Sequence, residues 1–230
     1  MPTTDPAYFQ AIPWCAALLS DPEYVVAPSR FGKPMKGARG EFFTRTLATD
    51  NVITAFVYQT RRHGLSGNTT SSAQSDVSPS PAVSEVRAFL STASGVNGHP
   101  GIAHGGFVAA VIDEVMGFLI NSNRATTETA GPPHEKGSKS TEPQRHLVPM
   151  TAPGHSVMTA ELTTKYRRPV PSGEAVLVRT WVEKVEGRKI FVRATIEGEE
   201  RQILSEGVGL FVALKPGVKG PEIGKRVARI

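Results

Sequence analysis

The 230-residue chain has one cysteine, Cys15, and few aromatic residues, and each scarcity excludes a class of protein. A single cysteine forms neither an intrachain disulfide nor a cysteine-based zinc site, so we expect a reducing, cytoplasmic environment. Aromatic residues are 7% of the chain and do not alternate with basic ones, which argues against base stacking. We therefore expect no nucleic-acid partner.

Long apolar runs and several catalytic motifs are also missing. The longest apolar run, 107–120, has 14 residues interrupted by two acids, and about 20 are needed to span a bilayer. The first 30 residues hold neither an apolar signal core nor an excess of basic residues, so no targeting peptide is expected. There is no GxSxG, HExxH or strand-linked GxGxxG motif. The six histidines are scattered, so we expect no metal site.

A length of 230 residues allows one generous domain, and the content of 22 glycines and 18 prolines indicates long loops. We therefore predict a single domain with irregular additions. We place this domain at 39–215 and predict low-order insertions at 64–81 and 121–155. An N-terminal arm at 1–38 and a C-terminal tail at 216–230 flank it. Within the arm, residues 12–19 are expected to form one or two helical turns that dock on the core.

The remaining pattern predicts an α+β fold. Residues 104–120 form the strong helix candidate, apolar on nearly every face as in a buried central helix. Strand-like runs lie at 84–92, 156–168, 174–184, 189–197 and 202–214, and residues 40–61 predict two strands meeting near Asp50 and Asn51. One buried helix among antiparallel strands indicates an antiparallel β-sheet wrapped around a central α-helix.

The stretch NGHPGIAHGGFVAAVIDE carries the candidate chemistry. Gly105 and Gly106 lie where the helix begins, and the first N–H groups of a helix lack partners and carry positive dipole character, which suits an oxyanion site. Asp113 follows just over two turns later in an apolar wall, where an unpartnered carboxylate is costly to bury. We predict that His104 orients the turn, and we assign Asn97, together with Gly106, to the oxyanion site and its turn.

Both features also have structural explanations. Glycines serve any tight turn, and the carboxylate of Asp113 can bond a backbone group or a dimer partner. Glu114 is an alternative acid, although the rotation of about 100° per residue directs it elsewhere. In our interpretation, HGG followed by an acid nine residues after the histidine favours a functional site.

Four stretches, HPGIAHGGFVAAVIDE, VMTAELTTKYRRPVPSGE, VEKVEGRKIFV and LSEGVGLFVAL, together resemble the hotdog-fold acyl-CoA thioesterases of the thioesterase superfamily. The resemblance is greatest to the mammalian mitochondrial group that includes the carboxyl-terminal modulator protein, and covers about 84–214 without the 121–155 insertion. It implies the hotdog fold, hydrolysis of fatty acyl-CoA to free acid and CoA, no cofactor besides that substrate, and a homodimer or dimer of dimers. Mitochondria become an alternative compartment.

The resemblance also implies roles for individual residues. Gly105 would donate its N–H to the thioester oxygen, assisted by Gly106, and Asp113 would activate the attacking water. Thr159, from a strand of the facing subunit, would lie beside the acid. Basic residues would bind the CoA, namely Lys165, Arg167, Arg188 and Lys189.

The distribution of charge agrees with these roles. Residues 165–193 contain eight Lys or Arg and three Glu, a local excess equal to the net charge of +5 of the whole chain. Regular alternation from Val157 predicts Thr159, Lys165 and Arg167 on one strand face, with roughly 20 Å between the first two. That distance suits a phosphopantetheine arm, and Lys and Arg suit its phosphates. A solvated strand edge is the structural alternative.

Two other functions remain open. A hydratase or dehydratase acting on an acyl thioester would use His99 and Glu114 as its acid/base pair. A non-catalytic acyl-CoA-binding or regulatory protein would keep the fold and the basic residues without releasing CoA.

Overall fold

The computed structural model describes residues 2–29, 31–33, 40–62, 83–129 and 156–214. Three helices are α1 (Ala7–Gln10), α2 (Pro13–Leu19) and α3 (Gly105–Thr129). The strands are β1 (Tyr24–Ala27), β2 (Ile53–Arg62), β3 (Val83–Thr92), β4 (Asn97–His99), β5 (Ile102–Ala103), β6 (Val157–Tyr166), β7 (Ala175–Glu186), β8 (Lys189–Glu197) and β9 (Ile203–Ala213). A π-helical turn at Phe42–Thr46 and a 3-10 turn at Ser94–Val96 complete the described elements.

Seven strands form one antiparallel sheet in the order β1-β2-β3-β7-β8-β9-β6. Their Val, Ile, Thr and aromatic residues fit a pleated, half-buried surface. Helix α3 packs on one face of this sheet, where Gly207 and Gly209 of β9 allow a close approach. A Cβ added at Gly207 would lie 2.5 Å from Ile112 Cγ2, and one at Gly209 would lie 2.7 Å from Met116 Sδ. The apolar side of α3 is thereby buried in the core.

The predicted α+β class and hotdog arrangement are confirmed, since one long antiparallel sheet packs against the long helix α3. On length and composition alone, the stretch Gly105–Asn123 is apolar enough to cross a membrane. In this structure the same stretch is the core helix, and Val115, Met116 and Leu119 are fully buried within it.

One predicted boundary, between the helix and the second insertion, is wrong. Helix α3 continues to Thr129, so residues 121–129 are helical rather than part of an insertion. Asn123 ties this extension to the sheet, because its Oδ1 accepts a hydrogen bond from Val83 N (2.9 Å) and its Nδ2 donates to Val83 O (3.0 Å). The insertion at 64–81, the rest of 121–155 and the tail at 216–230 lie outside the described residues.

The two strands predicted at 40–61 are one helical turn followed by one strand. Phe43 is buried from the π-helical turn and its ring lies 6.3 Å from that of Phe56 in β2. Packing of this aromatic side chain outweighs the β propensity of the stretch. Only residues from Ile53 onward are extended.

The N-terminal arm covers the sheet face opposite α3. The helix expected at 12–19 is present as α2, and Phe9 and Cys15 pack with Phe89 and Leu177 of the sheet. Burial, followed by the nearby charge of Glu199, raises the pKa of the Cys15 thiol to about 12, so the thiol stays protonated. The arm also adds strand β1 to the sheet edge, which the sequence did not predict.

Ion pairs hold the arm on this face. Arg87 of β3 contacts Asp21 of the arm at 3.0 Å, and its guanidinium lies 3.5 Å above the ring of Tyr24. Beside it, Arg179 of β7 pairs with Glu85 at 2.8 Å. Because Arg87 and Glu85 are nearly buried, these charges need such partners.

Candidate active site

The side chain of His104 caps the N-terminus of α3. Its backbone oxygen accepts a hydrogen bond from Val108 N at 3.1 Å, and its Nδ1 accepts one from Gly106 N at 3.0 Å. A neutral ring that accepts at Nδ1 carries its proton on Nε2. Gly106 leaves room for the ring, because a Cβ there would lie 3.2 Å from Nδ1. His104 therefore orients the turn by capping it.

The capping bond distinguishes the two predicted oxyanion donors. The N–H of Gly106 is already bonded to His104 and is not an open donor, which corrects its assignment to the oxyanion site. None of the residues that the structure describes accepts a hydrogen bond from the N–H of Gly105. Gly105 thus offers an unpaired donor at the positive end of a 25-residue helix.

Tyr166 fixes the same turn from β6. Its hydroxyl donates a hydrogen bond to Gly105 O at 2.9 Å. A Cβ at Gly105 would lie 3.4 Å from that hydroxyl oxygen, which is an ordinary contact distance. Sequence reasoning missed Tyr166, because regular alternation placed it on the opposite strand face from Thr159.

Asp113 is bonded to Thr159. The Thr159 hydroxyl donates to Asp113 Oδ1 at 2.9 Å, and the carboxylate is partly exposed. The family resemblance implied a threonine of the facing subunit, whereas this bond forms within one chain. Among the described residues, none donates a hydrogen bond to the second carboxylate oxygen, Oδ2.

Gly105 and Asp113 of one chain do not face the same reacting group. They lie eight residues apart on α3, which is about 12 Å along the helix axis. A single carbonyl group does not reach both the Gly105 N–H and the Asp113 carboxylate over that distance. One chain therefore holds the two parts of the candidate site separately.

A β-bulge in β6 reverses the predicted strand faces. Thr159 lies opposite Phe211 and Glu161 opposite Leu210, so Ala160 is an extra residue. After the bulge, Leu162 packs into the core beside α3. Tyr166 consequently shares the α3 side with Thr159.

Lys165 therefore lies on the face of the sheet away from α3. There it lines a cavity of about 230 Å³ together with Trp181 and Arg193. The prediction that Thr159, Lys165 and Arg167 share one face is wrong for Thr159 and Lys165, because one inserted residue shifts the two-residue period.

The four candidate CoA-binding residues form two separate pairs in one chain. Arg167, just after β6, pairs with Glu206 at 2.9 Å, near Lys165. Arg188 and Lys189 lie at the β7–β8 turn, near the other end of β6, where Arg188 donates to a backbone oxygen of β9 at 3.1 Å. The structure does not bring the two pairs together within one chain.

Asn97 begins the loop that leads to His104. Its Oδ1 accepts a short hydrogen bond from the hydroxyl of Ser172. Ser172 also donates its backbone N–H to Gly101 O at 3.0 Å, so two bonds join this turn to the loop. Sequence reasoning missed Ser172, although the Pro-Ser-Gly signal of a turn marks the position.

A cavity of about 370 Å³ adjoins the start of α3. Its apolar walls come from both sides, with Phe107 and Ala110 from α3 and Leu47 and Val52 from the segment before β2. Asn97, His104 and Gly106 also line it. The cavity thus joins an apolar space to the polar turn.

Glu114 is a half-buried acid beside this site. Burial, followed by the neighbouring charge of Asp113, raises its pKa to about 7. It lies near Tyr58, whose pKa is raised by burial and by the charge of Glu114. His99 is exposed in β4, and no hydrogen bond or ion pair joins it to Glu114. Among the described residues, no group of three His, Cys, Asp or Glu side chains is arranged to hold a metal ion.

Comparison with known proteins shows which family this region is similar to. Residues 100–205 match the family model described as thioesterase superfamily. Acyl-coenzyme A thioesterase THEM4 of Xenopus laevis is 32% identical over 122 residues, which cover 53% of this chain and 41% of the relative. The Bos taurus protein of the same name is 29% identical over 122 residues, covering 53% and 38%. The chain therefore spans about two fifths of the length of these curated relatives.

A solved structure described as a thioesterase superfamily protein is 26% identical to this chain, and the TM-score is 0.41. The match covers 56% of this chain and 51% of that chain. The family match falls on the HGG turn, Asp113 and strands β6 to β8. The resemblance found in the motifs is confirmed, since residues 100–205 match the thioesterase superfamily and the curated relatives are acyl-CoA thioesterases.

Proposed function

We propose that this protein hydrolyses acyl-CoA thioesters to a free acid and CoA. The observation that carries the proposal is the open N–H of Gly105 at a capped helix N-terminus, on the same helix as the hydrogen-bonded carboxylate of Asp113. Such donors stabilise the oxyanion that forms when water attacks a thioester. The names of the curated relatives support the same reaction.

The proposed active form is a homodimer, or a dimer of dimers built from it. The separation of Gly105 from Asp113 requires that each site take one group from each copy. Strand β6 is a sheet edge with unpaired backbone groups, which favours pairing with a second copy. Its Met158 and Tyr166 are 50% and 55% exposed, an apolar surface that a partner would cover.

Antiparallel pairing of β6 with itself would assemble the site. In one chain, Thr159 near the start of β6 contacts Asp113, and Tyr166 at its end contacts Gly105. A twofold axis through the middle of the paired strands would bring the Asp113 end of one copy beside the Gly105 end of the other. The same operation would bring Arg188 and Lys189 towards the Lys165 and Arg167 end of the second copy.

In the proposed mechanism, the thioester oxygen accepts a hydrogen bond from the Gly105 N–H of one copy. The Asp113 carboxylate of the other copy takes a proton from water as the water oxygen attacks the carbonyl carbon. The C–S bond then breaks, and the proton held by Asp113 passes to the CoA sulfur. Thr159 holds one carboxylate oxygen, which leaves the other directed at the water.

The cavity beside α3 is proposed to hold the acyl chain. It opens at His104 and Gly106, close to the proposed oxyanion site, and its walls of Phe107, Ala110 and Leu47 suit an apolar group. A fatty acyl group is therefore the favoured substrate class. Lys165 and Arg167 at the end of β6 of one copy, with Arg188 and Lys189 of the other, would bind the CoA phosphates.

Thiol release from acyl-CoAs of increasing chain length tests the proposed function. We expect turnover by the wild type and a kcat lowered by about 10²-fold or more in Asp113→Asn, because a general base is lost. Asp5→Asn, which changes an exposed acid on the arm, serves as the matched control. Hydrolysis by folded Asp113→Asn at the wild-type rate would exclude this mechanism.

The open alternatives give different results in the same assays. CoA binding without thiol release would select a non-catalytic acyl-CoA-binding protein. Hydration of an enoyl-CoA without CoA release would select the hydratase, for which His99 and Glu114 were the candidate pair.

A further inference from the structure

The contact between Ser172 and Asn97 adds a residue to the site. The Ser172 hydroxyl donates to Asn97 Oδ1, so the amide NH₂ lies on the other branch of the carboxamide. Asn97 lines the cavity beside His104. Within the described part of the chain, no residue accepts a hydrogen bond from Asn97 Nδ2. The amide therefore offers a second open donor close to the turn that holds Gly105.

The turn that carries Ser172 is firmly placed. Besides the bond from Ser172 N to Gly101 O, Gly173 N donates to Thr92 O at 3.1 Å. Pro171 forms a β-bridge with Ile102, in the loop between Asn97 and His104. Gly173 has a φ of +87°, which only glycine adopts without strain. The hydroxyl thus reaches Asn97 from a backbone fixed on both sides.

We infer that Ser172 is a positioning residue, which directs the Asn97 NH₂ towards the carbonyl oxygen of a bound acyl thioester. The last torsion of an asparagine is broad and nearly twofold, so a fixed partner is needed to favour one orientation of the carboxamide. A donor aimed before the reaction stabilises the oxyanion without reorganisation. This inference rests on the proposed acyl-CoA hydrolysis.

Enzyme kinetics distinguish a positioning role of Ser172 from a contribution to the stability of the fold. We expect Ser172→Ala to lower kcat about tenfold while KM changes less than about twofold, because the donor acts mainly in the transition state. Ser172→Thr keeps the hydroxyl and should restore most of kcat. In the Asn97→Ala background, Ser172→Ala should have little further effect, since its target is gone. Ser20→Ala, which removes a hydroxyl bonded on the arm, is the control.

The inference would be overturned if Ser172→Ala left kcat unchanged. It would also be overturned if Ser172→Ala lowered kcat by the same factor in the Asn97→Ala background as in the wild type. Unfolding midpoints of all variants show whether a loss of kcat reflects loss of fold.

A readout without turnover keeps this inference separate from the proposed function. The side-chain NH₂ signals of Asn97, identified by their loss in Asn97→Asp, are followed by NMR. The probe is a CoA ketone analogue with a methylene in place of the thioester sulfur. We expect it to shift these signals in the wild type and not in Ser172→Ala.

Absence of the shift in the wild type contradicts the role of Asn97 and Ser172. A shift without thiol release from any acyl-CoA contradicts the proposed hydrolysis and leaves the placement of Asn97 supported.

Discussion

At the scale of residues, the site depends on a few side chains that hold the first turn of α3. His104 Nδ1 accepts a hydrogen bond from the N–H of Gly106, and the Tyr166 hydroxyl donates one to the oxygen of Gly105. Among the described residues, none accepts a hydrogen bond from the N–H of Gly105. HGG and the acid after it were evident in the sequence. Their partners were not, because Tyr166 is 61 residues away from Gly105 and no local pattern links them.

Tyr166→Phe tests the support of this turn. We expect a kcat lowered severalfold and a free energy of unfolding lowered by about 1 kcal/mol, the usual net value of one hydrogen bond. Thiol release and thermal unfolding measure the two effects. The control is Tyr8→Phe, which loses a hydroxyl contact with Ser91 (3.0 Å) on the other sheet face and should retain full kcat. Equal kcat values for both variants would show that Tyr166 does not support catalysis.

Glu114 predicts a pH dependence of stability. Its pKa of about 7 exceeds its ordinary value of 4.5, so the folded state favours the protonated form. The stabilising effect is complete below pH 4.5 and is lost as pH rises through 7, by up to about 3 kcal/mol. Glu114→Gln should be more stable than the wild type above pH 7. Denaturant unfolding at several pH values measures this, and parallel pH profiles for both proteins would contradict it.

At the scale of elements, the sequence predicted the existence of the parts better than their register. Helix α3 and the strands β3, β6, β7, β8 and β9 all lie where the hydrophobic patterns predicted them. The bulge at Ala160 carries no glycine or proline signal, and it results from pairing with β9, 50 residues further along. The turn at Phe42–Thr46 depends on tertiary packing of Phe43 on Phe56.

The cavity between α3 and the segment before β2 predicts chain-length selection. Ala110→Phe would fill part of this space. We expect turnover of long-chain acyl-CoAs to fall about tenfold or more relative to acetyl-CoA, because an extra ring excludes the chain and not the thioester. The ratio of kcat/KM values measures the effect, and acetyl-CoA serves as the internal control. An unchanged ratio in a folded variant would place the acyl chain elsewhere.

At the scale of the whole molecule, the proposed sharing of the site between two copies predicts complementation. Gly105→Pro removes the donor but suits the first position of a helix, and Asp113→Asn removes the base. Each homodimer should be inactive. A heterodimer of the two, purified through different tags, holds one intact site and should show about half of wild-type activity. An inactive heterodimer would contradict the shared site.

The arm over the outer face of the sheet limits how the proposed dimers could associate further. Phe9 and Cys15 cover Phe89 and Leu177, and the ion pair between Asp21 and Arg87 also joins the arm to the sheet. This apolar surface is satisfied within each chain, so two sheets cannot stack back to back across it while the arm is in place. An association through this outer face of the sheet would therefore have to use strands other than those under the arm, so residues 2–29 restrict the geometry of such a contact.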